Sequence, residues 1–120
     1  MLVVEDEGAV RHLVRRVLLG HGYELLEAAS GEEAVALVAQ RTGPIHLLLT
    51  DVVMPGMTGR ELAVRLLRVH PEMRVLYMSG YPDDAVVRHG VQASDLEYVQ
   101  KPFKPDALLR RIDDLLRPGS

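Results

Sequence analysis

Short apolar runs alternate with longer amphipathic stretches along the 120-residue chain, and this alternation constrains the fold more than any other feature. Five runs are candidates for strands because they are apolar, short and bounded by turn residues. They are Leu2–Val4, Tyr23–Ala28, Ile45–Thr50, Val75–Met78 and Tyr98–Val99. Between them, apolar residues recur at helical spacing, as Val10, Val14 and Val17 do.

Strands that alternate with helices form a parallel sheet, because a parallel crossover needs an intervening helix. The sequence therefore predicts an α/β fold, a flavodoxin-like doubly wound five-stranded parallel sheet in the order 2-1-3-4-5 with helices on both faces. The segments "SGEE" (Ser30, Glu33) and "TGRE" (Thr58, Glu61) each fit the capping box that begins a helix. We expect one domain over residues 1–117 and a tail at residues 118–120.

Composition argues against several classes of function. The net charge is −3 without any basic block, so we expect no nucleic-acid partner. The absence of cysteine rules out disulfides and thiolate metal sites. No apolar run approaches the ~20 residues of a membrane span. We therefore expect a cytoplasmic domain that makes no membrane contact of its own.

Polar residues follow four of the five predicted strands. They are Glu5, Asp6 and Glu7 after the first strand, Asp51 after the third, Ser79 after the fourth and Lys101 after the fifth. The carboxyl ends of parallel strands lie at one edge of the sheet, where ligands bind in doubly wound folds. The sequence therefore predicts that these side chains form one site.

The residue types at this edge suit phosphoryl transfer. Carboxylate oxygens suit Mg²⁺, with Asp6 and Asp51 as direct ligands and Glu5 holding a metal-bound water. An ionised Asp51 could act as a nucleophile, while Lys101 and Ser79 supply charge and a hydrogen bond to the transferred group. Taken singly, an acidic cluster can cap a helix and an aspartate after a strand can be a turn residue. Their joint placement at four strand ends favours the functional interpretation.

The segments "LVVEDE", "LLLTDVVMPGMTG", "VLYMSGY" and "YVQKPF" resemble those of receiver domains of two-component signalling, and the resemblance covers nearly the whole chain. It implies phosphoryl transfer to Asp51 from the phosphohistidine of a histidine kinase or histidine phosphotransfer domain. It also implies that Mg²⁺ is required, with Mn²⁺ able to substitute. The implied metal ligands are Glu5, Asp6, Asp51 and the backbone carbonyl of Val53, and the implied phosphoryl-binding groups are Ser79 and Lys101.

The same resemblance implies a switch. Ser79 would turn towards the phosphoryl group and Tyr98 would swing from an exposed to a buried position. The face of the fourth helix, fifth strand and fifth helix would then change for a partner, and this face could also mediate dimerisation. Val53 and Tyr81 would flank the path of attacking water and tune dephosphorylation, which an apolar Val53 should make slow. The Lys101–Pro102 peptide would be cis.

Three positions depart from the family's common pattern. The acidic pair is Glu5-Asp6 rather than two aspartates, and Ser79 stands where threonine is commoner. Lys104 precedes Pro105 where a serine or threonine cap is usual, and a lysine side chain cannot cap a helix N-terminus.

The chain is particularly similar to receivers at the carboxyl terminus of hybrid histidine kinases, and its abrupt ends favour a domain excised from such a kinase. We expect no enzymatic activity from the domain itself, although the parent chain would be a kinase and could tether it to a membrane. The main alternative is a stand-alone single-domain response regulator. A phosphate-independent scaffold is a weaker alternative, because all five site residues are of types suited to phosphoryl transfer. An Asp-nucleophile phosphatase is also weaker, because such an enzyme needs a second acid where Val53 stands. A flavodoxin is also disfavoured, because "EDEGAV" would repel a phosphate.

Overall fold

The computed structural model describes residues 1–41, 43–79 and 98–117. Within them the chain forms five strands and four helices, which alternate in the order expected for a doubly wound fold. These are β1 Leu2–Val4, α1 Gly8–Gly20, β2 Leu26–Ala28, α2 Gly31–Ala39, β3 Leu47–Asp51, α3 Gly59–Leu67, β4 Arg74–Ser79, β5 Tyr98–Gln100 and α4 Pro105–Leu116. The predicted fourth helix would fall between β4 and β5, outside the described residues, so α4 corresponds to the predicted fifth helix.

The five strands form one parallel sheet in the order β2-β1-β3-β4-β5, which confirms the predicted topology. The pairing register aligns Val4 of β1 with Thr50 of β3, and Asp51 of β3 with Met78 of β4. The carboxyl ends of the central strands therefore reach the same edge of the sheet. Among the described residues, no helix is long and apolar enough to cross a membrane.

Strand β2 is shorter than the sequence predicts, since it begins at Leu26 rather than at Tyr23. The reason is the short partner strand: β1 pairs with β2 from Leu2 onwards, and Leu2 lies opposite Leu26. Ahead of Leu26, the Met1 amino group donates to the Glu24 carbonyl at 3.1 Å, but the residues there do not continue the strand. The Tyr23 hydroxyl instead donates a hydrogen bond to the Asp113 carboxylate of α4.

Two apolar layers enclose the sheet, because neighbouring residues on a strand point to opposite faces. In β3, Leu48 packs in the layer formed with α2 and α3, while Leu47 and Leu49 pack in the layer formed with α1 and α4. All five residues of β3 are buried. A central strand that is covered on both faces explains the continuous apolar run that ends at Asp51.

The capping boxes predicted for α2 and α3 differ in one bond. At α3, Thr58 accepts a hydrogen bond from the Glu61 backbone and Glu61 accepts one from the Thr58 backbone, so the box is complete. At α2, Ser30 accepts from the Glu33 backbone, but the Glu33 carboxylate accepts from Ala29 instead of Ser30. Both caps satisfy amide groups that the first helical turn leaves free.

The first residue of α3, Gly59, holds the end of β3 in place. Its amide donates to the Val52 carbonyl at 3.0 Å. A β-carbon at this position would lie 1.9 Å from the backbone oxygen of Asp51. Only glycine allows α3 to begin so close to the strand that carries Asp51.

Helix α4 begins without a side-chain cap, as the sequence predicts. Lys104 is the N-cap residue and makes no capping hydrogen bond, and Pro105 occupies the first turn. Proline suits this position because its missing amide would have had no helical partner.

Candidate functional site

The polar residues predicted from the strand ends line one cleft at the carboxyl edge of the sheet. The cleft has a volume of about 660 Å³ and is open to solvent on one side. Its lining residues are Glu5, Asp6, Glu7, Asp51, Val53, Met78, Ser79 and Lys101. The structure therefore brings together all the predicted site residues within the described part of the chain, apart from Tyr98. Tyr81 lies outside the described residues.

Asp51 is the last residue of β3 and, with Glu5, one of the two buried acids in the described part of the chain, with 4% of its surface exposed. Its Oδ1 atom lies 2.5 Å from the ammonium nitrogen of Lys101. Glu5, at the end of β1, is also buried, and both of its carboxylate oxygens accept hydrogen bonds from Lys101, at 3.0 and 3.2 Å. One lysine thus bridges two buried carboxylates.

This arrangement raises the pKa values of both Asp51 and Lys101. The pKa of Asp51 is raised to about 8, because burial and the hydrogen bond to Glu5 both raise it by more than Lys101 lowers it. Burial alone would lower the pKa of Lys101, but its contacts with Asp51 and Glu5 outweigh burial and raise the pKa. The two buried carboxylates therefore share a single positive charge, and the site favours an additional cation.

The acidic residues form a group that fits a divalent cation. One carboxylate oxygen from each of Glu5, Asp6 and Asp51 lies within 4.8 Å of the others. Asp6 is exposed and also lines the cleft, so water has access to the acidic group. Carboxylate oxygens in a water-accessible cleft are the donors that Mg²⁺ binds while it keeps several waters.

Ser79 and Lys101 reach the cleft through the last two strands. Ser79 ends β4 and is buried, with 3% of its surface exposed. The amide of Lys101 donates to the Ser79 carbonyl at 2.6 Å, so backbone pairing fixes the two residues beside each other. The Lys101–Pro102 peptide is cis, as predicted.

The remaining predicted residues divide between the cleft and the edge strand. Val53 lines the cleft two residues after Asp51. Tyr98 lies in β5, directly opposite Tyr77 of β4, and packs half-buried against the apolar layer formed with α2 and α3. Its carbonyl accepts a hydrogen bond from the Arg111 guanidinium at 2.7 Å. Tyr98 therefore lies beside the cleft rather than in it.

Glu7 lines the cleft, as its place among the acids after the first strand predicts, although the sequence assigns it no separate role. A contact of Arg11 in this region was not predicted. Arg11 donates from its guanidinium to the Glu5 carbonyl at 2.7 Å. The sequence gives no signal for the Arg11 contact, because it depends on how the side chain folds back from α1.

Comparison with known proteins agrees with this geometry. A family model described as the response regulator receiver domain matches residues 1–113. The sensor kinase CckA of Brucella abortus (strain 2308) is 36% identical over 116 residues, which are 97% of this chain and 12% of that protein. The transcriptional regulatory protein YvrH of Bacillus subtilis (strain 168) is 35% identical over 113 residues, which are 93% of this chain and 46% of that protein. The chain thus spans less than half of each relative.

Solved structures show the same fold. The receiver domain of the hybrid histidine kinase CckA superposes with a TM-score of 0.75 at 35% identity and covers 97% of both chains. A CheY-like response regulator receiver domain protein from Methanospirillum hungatei JF-1 superposes with a TM-score of 0.79 at 28% identity, covering 96% of this chain and 90% of that one. Together with the family model, these likenesses show that the chain belongs to the response regulator receiver domains of two-component signalling.

Proposed function

We propose that this receiver domain accepts a phosphoryl group on Asp51. The observation that carries the proposal is a buried carboxylate at the end of a central strand, in contact with Lys101 and open to a cleft rimmed by further acids. Burial of an ionised carboxylate costs free energy unless an opposite charge or hydrogen bonds stabilise it. Carboxylates with such perturbed pKa values are found mainly at functional sites.

The proposed cofactor is Mg²⁺, with Mn²⁺ as a substitute. Glu5, Asp6 and Asp51 would hold it, together with the backbone carbonyl of Val53. The close approach of the three carboxylates and the raised pKa of Asp51 support this ligand set. When bound, the ion would neutralise part of the negative charge of the acids and of the incoming phosphoryl group.

The proposed reaction moves a phosphoryl group between two side chains. The donor is the phosphohistidine of a histidine kinase or a histidine phosphotransfer domain. An Asp51 carboxylate oxygen attacks phosphorus and forms the phosphorus–oxygen bond. The phosphorus–nitrogen bond breaks, its electron pair stays on the imidazole nitrogen, and this nitrogen takes up a proton from solvent. The Lys101 ammonium and the Ser79 hydroxyl stabilise the oxygens of the transferred group.

The proposed response to phosphorylation is a change in Tyr98. Ser79 donates to a phosphoryl oxygen, and the space it leaves admits the Tyr98 ring. The short distance along the sheet supports this coupling, because Ser79 lies opposite Gln100, two residues after Tyr98 on the same face of β5. The surface of β5 and α4 then changes for a partner or for a second copy of the domain.

We propose that the parent protein is a hybrid histidine kinase and that this receiver is a cytoplasmic part of it. The 36% identity to a sensor kinase and the likeness to the receiver of a hybrid kinase support this origin. The receiver would act as phosphoacceptor, and catalysis of histidine phosphorylation would belong to the parent chain. A full-length gene without a kinase region would instead favour a stand-alone regulator or a regulator with another output domain.

The direct test is phosphorylation with acetyl phosphate, with and without Mg²⁺, measured by intact mass. We expect a gain of one phosphoryl group that needs Mg²⁺ and disappears in Asp51→Asn. Asp114→Asn is a matched control, because this aspartate is exposed on α4, away from the cleft. A phosphoryl group that is retained in Asp51→Asn would refute the assignment.

A folded wild-type protein that gains no phosphoryl group from this donor would favour a phosphate-independent scaffold. Rapid quenching over a time course separates that result from fast hydrolysis, because a short-lived adduct appears at early times and then decays.

A further inference from the structure

The turn between β1 and α1 carries the exposed acid of the proposed metal site, and its backbone is held from two sides. Asp6 is linked to its neighbours by two peptide groups, and the orientation of these planar groups decides where its side chain points. The first contains the Glu5 carbonyl, which accepts from Arg11 at 2.7 Å. The second contains the Glu7 amide, which donates to the Glu5 carboxylate at 3.3 Å.

The Arg11 side chain makes an unusual contact for a residue in the first turns of a helix. Its guanidinium lies over Gly8, 3.9 Å from where a β-carbon would be, and reaches back to the end of β1. The Glu5 carbonyl lies just beyond the β1 ladder, which ends at Val4, so it needs a partner from elsewhere. A positive charge near a helix N-terminus is unfavourable for the helix dipole, so the contact is not explained by helix stability.

We propose that Arg11 is a positioning residue for the divalent-cation site. By fixing the peptide between Glu5 and Asp6, its guanidinium orients both acids towards the cleft without touching the ion itself. This inference rests on the proposed function, since it assumes that Asp6 and Glu5 serve the metal. Residues that orient ligands in this way commonly change metal affinity by about 10-fold or more when they are removed.

An electrostatic role and a positioning role of Arg11 predict opposite changes in Mg²⁺ affinity when the side chain is removed. This difference makes the inference testable. Loss of a positive charge near an anionic site should strengthen Mg²⁺ binding by Coulomb attraction. Loss of the contact to the Glu5 carbonyl should weaken binding, because Asp6 is no longer held in place. The sign of the change in affinity therefore distinguishes a positioning role from a purely electrostatic one.

The experiment measures Mg²⁺ affinity by calorimetric titration of the whole domain in three variants. We expect Arg11→Ala to weaken binding about 10-fold, and Arg11→Lys, which keeps a charged donor, to recover most of the loss. Arg16→Ala removes the same charge from an exposed site further along α1 and should stay within about twofold of wild type. Unchanged or tighter binding by Arg11→Ala would overturn the inference, as would equal weakening by Arg16→Ala.

A second measurement tests the turn in metal-free protein. Hydrogen exchange of the Glu7 amide reports whether its bond to the Glu5 carboxylate persists. We expect about 10-fold faster exchange in Arg11→Ala and no change in Arg16→Ala. Unchanged exchange in Arg11→Ala overturns the positioning role, whereas a wild-type domain that binds no Mg²⁺ overturns the metal assignment of the proposed function. The two failures are thus distinguishable.

Discussion

Alanine substitution at the first residue of α1, α2 and α3 should have three different effects on stability, although all three residues are glycines. At Gly59 the added β-carbon would lie 1.9 Å from the backbone oxygen of Asp51 and 3.0 Å from its carbonyl carbon. A carbon–oxygen contact of ~3.3 Å is the closest that is commonly tolerated, so the backbone must move by about 1.4 Å. Overpacking usually lowers the free energy of unfolding by about 1–3 kcal/mol. Because the atoms in the way belong to the backbone, we expect Gly59→Ala to lower it by about 3 kcal/mol or more.

The other two glycines have less demanding surroundings. At Gly31 the β-carbon would lie 2.9 Å from both Cβ and Sδ of Met57, whose flexible side chain can partly move away. We expect Gly31→Ala to cost about 1–2 kcal/mol. At Gly8 the nearest atom would be 3.9 Å away, which is an ordinary contact. Alanine should therefore stabilise the protein by about 0.5 kcal/mol, because it lowers the conformational entropy of the unfolded chain.

Urea unfolding followed by circular dichroism measures the free energy of unfolding of each variant. Gly59→Ala should also lower the rate of Asp51 phosphorylation at temperatures where it remains folded, because the displaced oxygen belongs to Asp51 itself. Gly31→Ala should affect that rate much less. The reasoning would be refuted by a Gly59→Ala protein as stable as wild type, or by a larger loss at Gly31 than at Gly59.

Two further predictions concern the cleft. Because the pKa of Asp51 rises from 3.8 to about 8 on folding, its contribution to stability is fully present below pH 3.8 and is lost as the pH rises through 8. Denaturant midpoints of the metal-free domain should therefore fall over this range, less steeply in Asp51→Asn, and Mg²⁺ should oppose the fall by binding the ionised form. Replacing Val53, which cannot orient water, with asparagine should speed loss of the phosphoryl group about fivefold or more by intact mass, while Val53→Ala should not. An identical pH slope in Asp51→Asn, or an unchanged decay rate in Val53→Asn, would contradict these expectations.

The sequence predicts the sheet well because the relevant signals are local and periodic. The apolar run before Asp51 identifies a strand buried on both faces, and the alternation with helices fixes parallel pairing. The convergence of Asp51 and Lys101 follows from that topology alone. Strand ends are less predictable, as Tyr23 illustrates, because their limits depend on the length of the partner strand.

Side-chain contacts across a turn are beyond such reasoning. The sequence indicates that Glu33 could complete a capping box, but it does not show that its carboxylate reaches Ala29 instead. It likewise does not show that Arg11 folds back to the Glu5 carbonyl. Both contacts depend on rotamers and on backbone direction within a few residues, which hydrophobic periodicity does not encode.

The lysine that bridges Glu5 and Asp51 also ties the charge balance of the cleft to the fifth strand of the sheet. Glu5 and Lys101 are separated by 96 positions in the chain, so their contact closes almost the entire domain. Without Lys101, the buried carboxyl groups of Glu5 and Asp51 would have no internal counter-ion, and repulsion between their ionised forms would destabilise the cleft. The ammonium group that follows β5 supplies this charge, so a site built on β1 and β3 depends on the correct pairing of β5 with β4.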